Sequence, residues 1–95
     1  MITGKQRATL RSMANTIQPI FQIGKGGLTP ALTQQLDDSL EARELIKVSV
    51  LETCEITPKE AGETAAQRTK SELVQTIGRK FVLYRASKDN KRIEL

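Results

Sequence analysis

The chain has no histidine and no tryptophan, and its 95 residues include a single cysteine, Cys54. A lone cysteine forms no internal disulfide, and without histidine there is no Cys/His metal cluster or catalytic pair to assemble. Stability must come from packing, and Cys54 reads as a bystander. The commonest general base near neutral pH is missing as well, which leaves carboxylates, lysines and Tyr84 for proton transfer. We therefore expect no enzyme activity, no metal and no cofactor. Aromatics are scarce too, with Phe21, Phe81 and Tyr84 the only three. Phe21 and Phe81 lie in apolar segments and read as core, Tyr84 as core or rim. The chain thus lacks the stacking platform with which many domains read single-stranded bases.

Long hydrophobic runs are also absent. No window approaches the roughly 18 consecutive apolar residues of a membrane span. The N-terminal stretch MITGKQRATLRSMANTIQPIF carries bases but no apolar core followed by a small-residue cleavage site. The expectation is a soluble, cytoplasmic, monomeric protein with no membrane partner. The length suits one modest core, and no repeat, low-complexity tract or linker divides the chain, so residues 1–95 read as a single domain.

Acidic residues are missing from the first 28 positions, where Lys5, Arg7, Arg11 and Lys25 stand unopposed. Residues 29–78 hold nine acids against five bases, and residues 79–95 hold six bases, Arg79, Lys80, Arg85, Lys88, Lys91 and Arg92, against Asp89 and Glu94. The overall charge of +4 hides this alternation. If the two ends of the chain meet, they form one positive face opposite a more acidic flank, as a polyanion-binding domain requires; the bland alternative is a mixed, solvated surface.

Apolar spacing predicts a first helix over Gly4–Ala14 with Thr3 as its N-cap, and Pro19–Ile23 as a short strand. Thr29-Pro30 and Thr57-Pro58 each combine a capping hydroxyl with a proline suited to the first helical position. They predict helices from Pro30 to about Arg43 and from Pro58 to about Thr69. Gly62 weakens the second of these, and its alanine-rich face implies close packing. Between them Ile46, Val48 and Val50 alternate with Lys47 and Ser49, predicting a strand over Glu44–Leu51. Segments 72–77 and 80–85 flank Gly78-Arg79, whose leading glycine favours a tight hairpin. The order αβαβαββ, with a right-handed crossover between the first two strands, predicts a two-layer α/β (α+β) fold on a mixed four-stranded sheet. From about residue 87 the tail reads as polar, basic and partly unstructured.

The stretch IGKGGLTP, residues 23–30, sets glycines and Lys25 between a strand and a helix start. Without Cβ atoms the backbone can approach a ligand closely, and the first helical turn offers N–H groups and a dipole that favour an anion. The alternative is a sharp turn that merely needs glycine's positive φ. The P-loop and dinucleotide patterns both fail, since no Gly-Lys-Ser/Thr follows and Thr29 stands where a third glycine belongs. A phosphodiester backbone is the remaining anion of choice.

Taken together, IGKGGLTP, the following ELIKVSV and the hairpin QTIGRKFVLYR resemble the bacterial YhbY family, the stand-alone form of the CRM (chloroplast RNA splicing and ribosome maturation) domain. The resemblance runs from about Thr3 to Lys88. It implies a fold similar to the C-terminal domain of the third translation initiation factor, and RNA binding associated with the ribosomal RNA of immature large (50S) subunits during ribosome biogenesis. It places the GxxG loop, here Gly24, Lys25, Gly26 and Gly27, on the RNA surface; we extend that surface to Lys5, Arg7, Arg11, Arg79, Lys80 and Arg85.

Three further groups stay open. Lys47 projects from the polar face of its strand and is an RNA contact or a solvated residue, and Lys88, Lys91 and Arg92 could add weak contacts from the tail. Asp37, Asp38, Glu41 and Glu44 read as a solvated acidic helix face rather than a metal site. A protein interaction module that docks its basic face on a ribosomal protein or assembly factor is the alternative to RNA binding.

Overall fold

The computed structural model describes residues 2–95. The elements run α1 (Gly4–Ala14), β1 (Phe21–Ile23), α2 (Pro30–Arg43), β2 (Leu45–Val50), α3 (Pro58–Thr69), β3 (Glu72–Ile77) and β4 (Lys80–Tyr84). Each helix begins on its threonine. The Thr3, Thr29 and Thr57 hydroxyls accept the N–H groups of Gln6, Leu32 and Glu60, and Gln6 returns its side chain to Thr3 in a capping box. The helix bounds agree with the sequence reading. β3 agrees as well, while β1, β2 and β4 are shorter by one or two residues than expected, and just before β1 the Ile20 N–H still donates to the Lys47 carbonyl.

The four strands form one mixed sheet in the order β1-β2-β4-β3. β1 lies parallel to β2, with Phe21 opposite Val48, while β4 runs antiparallel to both β2 and β3. The glycine loop after β1, the turn after β2 and the Gly78-Arg79 turn therefore share one end of the sheet. Glu44, Arg85 and the start of β3 lie at the other.

Alternation sorts the core. Ile46, Val48, Val50, Phe81 and Leu83 join Leu36 and Leu40 of α2 and the alanines of α3 in one cluster. Leu45, Val74, Val82 and Tyr84 pack with Leu10 and Ala14 of α1 and with Ile93 in a second. Beyond the expected helix layer, then, α1 and the tail cover part of the opposite sheet face. Gly62 explains how α3 sits so close: a Cβ there would stand 2.9 Å from Leu73 Cδ1 and 3.1 Å from Phe81 Cγ. No helix among the described residues is long and apolar enough to cross a membrane.

The tail, read from composition as partly unstructured, has neither helix nor strand but is tied to α2. The Glu41 carboxylate accepts from the Ser87 hydroxyl and the Lys88 and Asp89 N–H groups. The buried Glu44 carboxylate accepts from the N–H groups of Ser87, Arg92 and Ile93 at 2.5–2.7 Å. This corrects the solvated-face reading for Glu41 and Glu44, and for Asp37, which Arg85 engages at 2.6 Å, while Asp38 stays exposed as expected.

Candidate nucleic-acid interface

The loop closes as a turn in which the Gly27 N–H donates to the Gly24 carbonyl at 3.0 Å. Of its three glycines only Gly27 has positive φ, +66°, so the turn itself requires glycine at that position alone. A Cβ on Gly26 would meet only the Thr29 methyl, at 3.9 Å. Small size at Gly24 and Gly26 thus leaves the backbone accessible without being demanded by the turn.

Part of the anion site expected at the start of α2 is self-satisfied. Thr29 takes the Leu32 N–H on its hydroxyl and the Thr33 N–H on its carbonyl, and donates its own N–H to Gly27. Among the described residues, the N–H groups of Lys25, Gly26, Leu28 and Ala31 have no such partner. The donors available to a phosphate are concentrated at the loop tip, where Lys25 is exposed.

The ten site residues named from the sequence do not form one cluster. Gly24–Gly27 share the end of the sheet with Arg79 and Lys80, since β1 and β2 both end there and β4 begins there. Lys5, Arg7 and Arg11 ride on α1, which packs over Leu45, Val74, Val82 and Tyr84 toward the other end. Arg85 lies beyond the last residue of β4, about 16 Å from Lys80 at a strand's rise per residue. The two chain ends do meet, through Ile93 beside Leu10 and Ala14, but without gathering these cations at the loop.

Three of those arginines have structural partners. Arg7 Nη1 donates to the Leu73 and Val74 carbonyls, where β3 shifts register and bulges. Arg79 bonds the carbonyls of Val50 and Leu51, tying the hairpin turn to the end of β2. Arg85 bonds Asp37 and the Thr69 carbonyl, linking α2 to the end of α3. Lys5, Arg11, Lys25 and Lys80 are exposed and make no ion pair or side-chain hydrogen bond among the described residues.

One residue beside the loop escaped the sequence reading. Arg68 of α3 donates to the Leu28 carbonyl at 2.9 Å, bracing the loop's exit from 40 residues away. No local pattern announces such a pairing. Next to it the Thr33 hydroxyl is buried without a hydrogen-bond partner among the described residues.

A glycine loop with free donors and an exposed lysine at its tip thus closes one end of a mixed αβαβαββ sheet, the class of small α/β domain this chain forms. The particular family follows from comparison: residues 2–85 match the CRS1 / YhbY (CRM) domain, and the chain belongs to that family. It is 53% identical over 95 residues to the probable RNA-binding protein YqeI of Bacillus subtilis, covering all of this chain and 99% of that one. It is 33% identical over 90 residues to an RNA-binding protein of Haemophilus influenzae, covering 95% of this chain and 91% of the other. The solution structure of SAV1595 from Staphylococcus aureus, a putative RNA binding protein, is similar with a TM-score of 0.83 and 57% identity, covering 100% of this chain and 99% of that one.

Proposed function

We propose that this protein binds structured RNA without catalysing a reaction, and that its target is ribosomal RNA of the immature large (50S) subunit during assembly in the cytoplasm. The observation that carries the reading is the loop tip, where unpartnered N–H groups of Lys25 and Gly26 and the free Lys25 ammonium present donors to one phosphate. Lys80 at the same end extends the contact along the strand, and Lys5 and Arg11 on α1 engage a second stretch of a folded RNA. With aliphatic faces in place of stacking aromatics, affinity comes from backbone charge and RNA shape.

The test is an amide NMR titration with a structured ribosomal RNA fragment at two salt concentrations. Shifts centred on residues 24–29 and 80, smaller at high salt, support the loop as the clamp. A folded protein whose loop amides stay still across several fragments would argue for the docking module instead. Co-sedimentation with immature but not mature large subunits tests the assembly role separately.

A further inference from the structure

The sheet has a step at its β1 edge. β1 begins at Phe21 opposite Val48 and the Ile20 N–H just before it reaches the Lys47 carbonyl, so Leu45 and Ile46 at the start of β2 have a strand neighbour on the β4 side only. Hydrogen bonding alternates along β2. Glu44 and Val50 bond toward β4, while the Lys47 carbonyl and the Leu51 N–H bond toward β1. By that alternation Leu45 aims its N–H and carbonyl at the vacant side, and neither has a partner among the described residues.

A groove of about 620 Å³ opens at this step, within the roughly 300–1,000 Å³ of ligand clefts. Its floor is aliphatic, from Ile17, Ile20, Leu45 and Ile93. Arg43, Lys47 and Arg92 stand round it, no acidic residue lines it, and none of the three has an ion-pair partner among the described residues.

We propose that this groove is a docking site for an extended acidic peptide of a partner protein, which adds to the sheet beside Leu45. Three features select that occupant. The idle backbone donor and acceptor match a strand's main chain; the floor takes alternate aliphatic side chains; the three cations pair with the carboxylates between them. RNA fits less well, because the aliphatic floor has nothing for a sugar-phosphate backbone and lies at the opposite end of β2 from the glycine loop. The inference stands apart from the RNA reading.

Its test uses the full chain and a fluorescent peptide of about eight residues alternating glutamate with leucine or valine, beside a lysine counterpart of the same apolar pattern. The expected result is saturable binding of the acidic peptide only, with amide shifts at Leu45–Lys47, Ile17–Ile20 and Ile93. Lys47→Glu and Arg43→Glu, read separately in folded protein, should each weaken it about fivefold or more. Equal binding of the lysine peptide, shifts confined to other surfaces, or unchanged affinity in both variants would overturn the proposal. Displacement of the peptide by an RNA fragment that shifts the same amides would overturn it too, giving the groove to RNA.

Discussion

The Glu44 carboxylate accepts the N–H of Ile93 at 2.7 Å across 49 positions of sequence. Glu44 ends α2 with a φ of +67°, a conformation costly for a residue with a Cβ. The oxygen that accepts from Ile93 also takes the Arg92 N–H and the other takes that of Ser87, so one buried side chain at the junction of α2 and β2 anchors the tail. Glu44→Ala should leave three amides without their acceptor and cost about 3 kcal/mol, with Glu44→Gln milder. Chemical denaturation gives the loss, and faster hydrogen exchange at residues 87–93 would show that the tail is what comes free.

Acid should release the tail first. The Ser87 hydroxyl, then the Asp89 and Lys88 N–H groups, hold the Glu41 carboxyl down to about 2. Burial pushes Glu44 up, but three backbone N–H groups outweigh it and its pKa is lowered as well. Groups depressed by folding stabilise above their ordinary value of 4.5 and lose that contribution as pH falls toward 2. Amide protection of Lys88, Asp89 and Ile93 should therefore fall between about pH 5 and pH 2. Protection that is flat through this window would contradict the assignment.

Gly62→Ala sets two rules against each other. In an exposed helix the change stabilises by about 1 kcal/mol. Here the added methyl meets Leu73 and the Phe81 ring, so the variant should lose about 1–3 kcal/mol. A raised melting temperature would show that α3 packs more loosely than described.

Arg85→Ala should act on stability rather than on RNA. Its guanidinium is spent on Asp37 and the Thr69 carbonyl, and removing it should cost about 1–3 kcal/mol. Loop amide shifts with RNA should persist in the folded fraction.

The helices were legible because their signals are local: Thr-Pro pairs at 29–30 and 57–58 cap and start them whatever the surroundings. The alternation of β2 and the glycine-led turn at Gly78 were equally self-contained, and Gly78 does adopt positive φ. Charge carried no such information. Arg7, Arg79 and Arg85 look like Lys5 and Lys80 in the sequence, yet they bond carbonyls and a carboxylate 16 to 67 positions away. Glu41 and Glu44 sit among acids that suit a solvated face, but the fold turns them to tail amides that composition does not reveal. The candidate site was legible as a loop and blurred as a patch.

The most direct test of the central claim is RNA affinity of Gly26→Asp. The position has no positive φ, and a Cβ there would make only an ordinary contact with the Thr29 methyl, so the side chain enters without strain while setting a negative charge among the loop's donors. The account predicts an unchanged melting temperature with affinity for a structured ribosomal RNA fragment reduced about tenfold or more, most sharply at low salt. A folded variant that binds this RNA as tightly as the parent would contradict it.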